Sequence, residues 1–313
     1  MTKKIATREA YGETLLALGK ENPNVVVLDA DLSKSTKTYD FGKHYPDRFF
    51  NVGIAEANLI GTGAGLAAAG KIPFCSTFAV FATGRAYDQI RNSVAYPHLN
   101  VKIAATHAGV TVGEDGGSHQ SVEDIAIMRA LPGFTIFVPA DAVETDAAIR
   151  AAAEIEGPVY IRLGRSGVPV IHDENLKFIP GEAVQLRDGS DATIIATGIM
   201  VSAALEAAEQ LAGQGVNVRV LDAHTIKPLD ITAVVNAAQE TGAIVTAEEH
   251  SIIGGLGSAV AETIAEHCPV PIKRVGVRDV FGESGKPAEL LEHFGLTATD
   301  IVNAVQQVIK RKK

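Results

Sequence analysis

Residues 49–58 read Phe49-Phe50-Asn51-Val52-Gly53-Ile54-Ala55-Glu56-Ala57-Asn58. A short strand is expected to end at Val52 or Gly53. A long small-residue helix follows, from about Glu56 to Ala69, and carries Gly61, Gly63 and Gly65. One carboxylate therefore stands at a strand-to-helix junction beside a nearly apolar segment. Poor hydration there disfavours the charged form and is expected to raise its pKa. An acid held protonated near neutral pH can donate a strong hydrogen bond to a ring nitrogen. The position equally suits a carboxylate that complements the dipole at a helix start. The two readings are compatible.

Outward from this junction, strands alternate with helices. Thr7 to Gly19 reads as a helix with Thr7 as its cap and Leu15, Leu16 and Leu18 facing a core. Asn24 to Asp29 is a β-branched run expected to be a buried parallel strand. It opens into the polar loop Asp29-Ala30-Asp31-Leu32-Ser33-Lys34-Ser35. Further strands are expected at Pro73–Thr77, Val101–Thr106, Thr135–Val138 and Val159–Leu163. Helices are expected within 78–94, over Asp124–Leu131 and over Ala142–Glu156. Residues 167–190, with Pro169 and Pro180, interrupt the pattern, with room for one added strand around Ala183–Leu186. A second series of strands (192–196, 216–221, 243–247, 272–277) and helices (201–212, 231–239, 253–266, and two more at the end) follows. The alternation implies an α/β protein of two doubly wound domains, each with a mostly parallel sheet flanked by helices. We expect them at residues 1–170 and 188–313, joined by 171–187.

The 313 residues are 46% hydrophobic and 21% charged, with a net charge of −9. The balance is that of a globular protein, and the acidic charge argues against a nucleic-acid-binding surface. A local cluster of His and Arg can still attract a small anion. No apolar run is long enough to span a bilayer. With no signal-peptide pattern, Cys75 and Cys268 read as free thiols in a reducing, cytoplasmic setting. Met1 directly before a lysine-rich start fits an independent gene product.

Three groupings carry chemical potential. Phe78 and Phe81, three apart after a strand end, put both rings on one side of a turn, where they either pack in a core or offer a flat apolar wall. The loop His107-Ala108-Gly109-Val110-Thr111-Val112-Gly113-Glu114-Asp115-Gly116-Gly117-Ser118-His119-Gln120 is rich in small residues that admit a ligand close to the backbone. Its two histidines and acids do not have metal-site spacing, so no metal is assigned to this chain. Arg8, Ser35 and Arg165 each sit beside an expected element end. A further cluster, Gly254-Gly255-Leu256-Gly257-Ser258 after Glu248-Glu249-His250, suits tight strand–helix packing, and no ligand is assigned to it.

The stretch around Glu56, followed by Ser76-Thr77-Phe78-Ala79-Val80-Phe81 and by the 113–120 loop, resembles the pyrimidine-binding domain of transketolase. The resemblance implies that Glu56 hydrogen-bonds the aminopyrimidine of thiamine diphosphate and activates the cofactor, while Phe78 and Phe81 stack on the ring. The family has an aromatic residue three positions further on; Gly84 stands there, with Tyr87 later, and Arg85-Ala86-Tyr87-Asp88-Gln89 is more similar to the deoxyxylulose phosphate synthases. The resemblance further implies that His107 and Asp115 contact the donor sugar and that His119 assists at the reacting carbonyl or hydroxyl. Arg8, Ser35, Arg165 and His107 would hold the substrate phosphate, and Asp31 would bear on the thiazolium side.

The diphosphate-binding signature of a full transketolase, Gly-Asp-Gly with a distal Asn, is absent from the sequence. Mg2+ or Ca2+ and its ligands are therefore expected in a separate N-terminal subunit, the two chains forming an α2β2 assembly. The expected activity is transfer of a two-carbon ketol unit between sugar phosphates. The rivals are a 2-oxoacid dehydrogenase beta subunit, a deoxyxylulose phosphate synthase relative, and a non-catalytic scaffold or regulatory subunit.

Overall fold

The computed structural model describes residues 3–312, so Met1 and the outermost residues of both expected domains lie outside it. Its strands are β1 (Lys4–Ala6), β2 (Val25–Asp29), β3 (Phe49–Asn51), β4 (Ile72–Phe78), β5 (Lys102–Thr106), β6 (Thr135–Phe137), β7 (Val159–Arg162), β8 (Gly167–Pro169), β9 (Val184–Arg187), β10 (Ala192–Ala196), β11 (Val218–Asp222), β12 (Thr225–Lys227), β13 (Ile244–Ser251) and β14 (Ile272–Val277). They form a seven-stranded sheet in the order β12-β6-β7-β5-β4-β2-β3, a five-stranded sheet in the order β14-β13-β10-β11-β9, and the small pair β1-β8.

Strands β2, β5 and β7 are buried along their whole length, as parallel strands covered on both faces must be. On one face, the helices Thr7–Glu21 and Ala142–Glu154 bury Tyr11, Leu15, Ala148 and Ile149. On the other, Leu59 and Ile60 of the helix Glu56–Ala68 and Ile125 and Met128 of the helix Asp124–Arg129 close the core. Gly63 permits the close seating of the first of these: a Cβ there would collide with Cys75 Sγ on β4. In the second sheet, the helices Met200–Ala212 and Ala298–Ile309 pack through Val201, Ala204, Ile301 and Val305. The layers are those of an α/β fold with helices on both faces of mostly parallel sheets.

Several expectations are corrected in detail. The three-residue strand β12, from the C-terminal half, pairs antiparallel with β6 and forms an edge of the N-terminal sheet. One core also runs through both halves, joining Leu59 and Met128 to Leu221, Val234 and Leu256. The expected strand near 183–186 is β9, antiparallel to β11. Thr7 does not cap its helix; Ala6 holds the N-cap position, and the Thr7 hydroxyl accepts the Gly164 N–H at 2.7 Å. The helix expected from Ile253 begins at Leu256. There the Glu248 carboxylate accepts the N–H groups of Leu256 and Gly257, both at 2.7 Å, so the chain's own acid satisfies that glycine-rich helix start.

Candidate active site

Strand register decides which loops meet. Asp29 of β2 lies opposite Asn51 of β3 and Ser76 of β4. Phe78 of β4 lies opposite Thr106 of β5, and Ala105 of β5 opposite Arg162 of β7. The chain leaves β2 toward β3 on one side and places β4 and β5 on the other. The carboxyl ends beside this reversal form the crevice where open α/β sheets take ligands. Asp31, Glu56, Phe78, His107 and Arg165 all follow these strand ends.

Glu56 begins its helix and is only 5% exposed. The N-cap position before it is held by Ala55, which supplies no side-chain cap. The Glu56 neighbourhood is not the purely apolar one expected from sequence: Arg85 Nη1 donates to Glu56 Oε1 at 2.9 Å. The same guanidinium lies 3.9 Å from the centroid of the Phe81 ring. Phe81 and Arg85 are four apart on one helix face, a spacing that could have signalled their contact. Phe78 and Phe81 stack at 5.6 Å with their planes 13° apart. A planar nitrogen donor thus rests on an aromatic wall while bonding to a buried carboxylate. Stacking plus an acid at the edge is the pair of contacts an aminopyrimidine requires, so these residues fit that group. Tyr87, the alternative third aromatic residue, packs against the hydrophobic core.

The aromatic cluster continues through both loop histidines. His107 stacks on Phe78 at 3.7 Å, and His119 meets Phe81 edge-on at 5.4 Å. His119 Nδ1 lies 2.9 Å from Ser118 Oγ. His107 holds a left-handed φ of 57°, and Asp31 one of 66°; such non-glycine residues are uncommon and gather at functional sites. Burial, followed by the charges of Arg8 and Arg165, pushes His107 down to about 3. It is therefore neutral at physiological pH. Arg8 Nη1 lies 3.3 Å from His107 Nε2. Because arginine can only donate, Nε2 accepts, and Nδ1–H donates to Thr106 Oγ1 at 2.9 Å.

Arg8 is half-buried and also donates to the Ser35 carbonyl oxygen at 2.8 Å, not to its hydroxyl. Its Nε is buried without a partner, and among the described residues it forms no ion pair. Burial and the nearby Arg165 lower its pKa from the usual arginine range; an anion would relieve both effects. Arg165 donates to the Val112 carbonyl and lies 3.4 Å from Asp115 and 3.7 Å from Glu114. Asp115 is exposed beside it. Asp31 is exposed and accepts from Asn51 Nδ2 at 3.2 Å; among the described residues no hydrogen bond joins it to the aromatic cluster.

The loop is anchored from the second half of the chain, which the sequence reading did not anticipate. Glu249 Oε1 accepts the Thr111 N–H at 2.6 Å. Gly109, at φ +80°, is required there, since a Cβ would strike the Glu249 carboxylate. Glu249 is fully buried, which raises it to about 7. Nothing in its local sequence marks it beyond the acidic pair Glu248-Glu249.

The family model of the transketolase pyrimidine-binding domain matches residues 3–170, and that of the transketolase C-terminal domain matches residues 181–301. This chain belongs to the transketolase family. A solved structure described as a split gene transketolase, inactive beta4 tetramer, is 60% identical, has a TM-score of 0.93, and covers 99% of this chain and 100% of its own. The putative transketolase C-terminal section of Methanocaldococcus jannaschii is 51% identical over 308 residues, 97% of this chain and 96% of that protein. A 6-deoxy-6-sulfo-D-fructose transketolase subunit of Clostridium sp. (strain MSTE9) is 50% identical over 305 residues, 97% of this chain and 95% of that protein. This chain matches each of these three proteins over nearly its full length.

Proposed function

We propose that this chain is the pyrimidine-side subunit of a two-chain, thiamine-diphosphate-dependent transketolase that moves a two-carbon ketol unit between sugar phosphates. The observation that carries this reading is the joint contact of the Arg85 guanidinium with Glu56 and the Phe81 ring. When bound, the cofactor supplies the nucleophilic carbon that carries the ketol unit. Glu56 would accept or donate a hydrogen bond at the cofactor's ring in place of Arg85, and Phe78 and Phe81 would hold the ring. Asp31 borders the thiazolium side. His107, fixed as the Nδ1–H tautomer, presents Nε2 as an acceptor, and Asp115 binds a donor hydroxyl. His119 holds or moves the proton at the reacting oxygen.

Arg8 and Arg165, with Ser35, receive the anionic end of the substrate, and His107, an acceptor at Nε2, takes part there by orienting the Arg8 guanidinium. Arg→Ala at position 8 is expected to raise KM for a phosphorylated donor about 10–100-fold, as for loss of a charge-assisted hydrogen bond. KM for an unphosphorylated ketose should barely move. Equal effects on both donors would remove Arg8 from the phosphate site. A sulfonate has the same charge sign, and one relative is named for a sulfosugar, so 6-deoxy-6-sulfofructose belongs in the donor panel.

The divalent metal, Mg2+ or Ca2+, is assigned to the diphosphate-binding partner, with an α2β2 assembly in the cytoplasm. Beside Glu56, Ile54 is 76% exposed, and Gly61 and Gly65 have open space where a Cβ would stand; a second chain can approach this face closely. The decisive assay measures aldehyde phosphate released from a ketose phosphate with cofactor, Mg2+ and an acceptor aldose. Activity is expected only when this chain is mixed with its N-terminal partner. Activity of this chain alone would remove the split-enzyme reading. Silence of a formed complex toward sugars, with turnover of a 2-oxoacid, would favour the dehydrogenase rival; silence toward both would favour a scaffold.

A further inference from the structure

Three distant segments bring ionisable side chains into one buried cluster. Glu144 lies in the first turn of the helix Ala142–Glu154, His172 on the segment after β8, and Asp222 at the end of β11. One ligand atom from each lies within 4.8 Å of the others. His172 Nε2 is 3.3 Å from Asp222 Oδ2 and 4.0 Å from Glu144 Oε1. Their side chains are at most 4% exposed.

The atoms that face one another lack partners. Glu144 Oε1, His172 Nε2 and both Asp222 oxygens are buried without an aligned hydrogen bond. The outer atoms, by contrast, are held in place. Glu144 Oε2 accepts the Ala140 N–H at 2.7 Å, and Asp141 Oδ2 accepts from the N–H groups of Ile171 and His172 at 2.7 and 2.8 Å. Asp141 Oδ2 also lies 3.2 Å from His172 Nδ1. A carboxylate that takes the Nδ1 proton leaves the Nε2 lone pair directed at Glu144 and Asp222, the arrangement by which a second carboxylate orients a metal-binding histidine. Among the described residues, no Arg or Lys forms an ion pair with any of these three acids, so three carboxylates face a single imidazole.

We propose that Glu144, His172 and Asp222 bind a divalent transition-metal ion such as zinc, with Asp141 orienting the imidazole. Ligands about 2.0–2.2 Å from a tetrahedral ion stand roughly 3.3–3.6 Å apart; the His172–Asp222 spacing of 3.3 Å lies in that range, and the Glu144 oxygen, at 4.0 Å from His172, would move slightly inward. The mixed imidazole and carboxylate set suits zinc better than magnesium or calcium. The ion would neutralise buried negative charge and tie the N-terminal sheet's helix, the connecting segment and β11 together. The inference does not depend on the substrate assignment.

Without an ion, the cluster must retain extra protons. The test separates ion from proton. The full-length chain, stripped with a chelator and titrated with Zn2+ at neutral pH, should bind one equivalent per chain. It should gain roughly 5–10 °C in Tm at about a hundredfold excess over Kd. Co2+ should give a visible d–d spectrum. Asp222→Asn and His172→Gln should each weaken binding about 10–100-fold, whereas His44→Gln, at an exposed histidine, should not. If Asp222→Asn fails to fold, His172→Gln with the Co2+ spectrum decides. Failure of the stripped wild-type chain to take up stoichiometric Zn2+, or a Co2+ spectrum unchanged in His172→Gln, would overturn the proposal.

Discussion

Glu56→Gln is expected to lower kcat of the assembled enzyme by roughly 10²–10⁴-fold, the range for loss of a positioned proton-transfer group. The amide keeps the shape of the side chain but cannot hold the proton required at the cofactor ring. The fold should tolerate the change. Among the described residues the carboxylate's hydrogen-bond partner is Arg85, whose side chain is half exposed; the Gln amide oxygen can still accept from it, so the change costs about 1 kcal/mol. Steady-state turnover and a denaturation curve on the same preparation distinguish the two effects. Turnover within a few-fold of wild type would remove Glu56 from the centre of the mechanism.

Arg162→Ala should destabilise the chain by about 3–5 kcal/mol, because it strands a buried carboxylate. Arg162 donates to both oxygens of Asp124, at 2.8 and 3.2 Å, and to the carbonyls of Ser121 and Glu249. Tyr160 donates to the same Asp124 at 2.7 Å. Burial works against the Asp124 charge, but the adjacent guanidinium holds its pKa below the usual carboxylate range. The network ties β7, the end of the 107–121 loop and β13 into one unit, so the loop that carries His107 depends on it. Urea unfolding followed by circular dichroism measures the loss. The double variant Arg162→Met, Asp124→Asn removes both charges and should recover much of it, since exchanging a buried pair for neutral groups costs far less than breaking it. A single variant as stable as wild type would show that the pair holds nothing together.

The repeated strand and helix pattern was legible because period and burial are local properties. The strands expected over Asn24–Asp29, Val101–Thr106 and Val159–Leu163 are β2, β5 and β7, and all three are buried. The loops at their ends followed from the same reading, and with them the stations of Glu56, Phe78, His107 and Arg165. What was missed lies in pairs distant along the chain. Phe78 and His107 stack although they stand 29 positions apart in the sequence. Glu249 reaches Thr111 from the other half of the chain. β12 is only three residues long and takes its identity from β6, across the expected domain boundary. No local hydrophobic period can announce a pairing with a strand so far back along the chain.

By itself, the sequence determined the α/β layering and the acid at the junction before the helix Glu56–Ala68, because backbone periodicity and the residue types at strand ends are written locally. The tertiary structure alone decided the charge states and partners. Arg85 sits on Glu56, Arg8 pairs with no acid among the described residues, and His107 is held neutral. Glu144, His172 and Asp222 converge only when three segments pack. Those properties arise from burial and from distances of a few ångströms between remote residues, and Coulomb and desolvation energies depend on separation in space rather than along the chain.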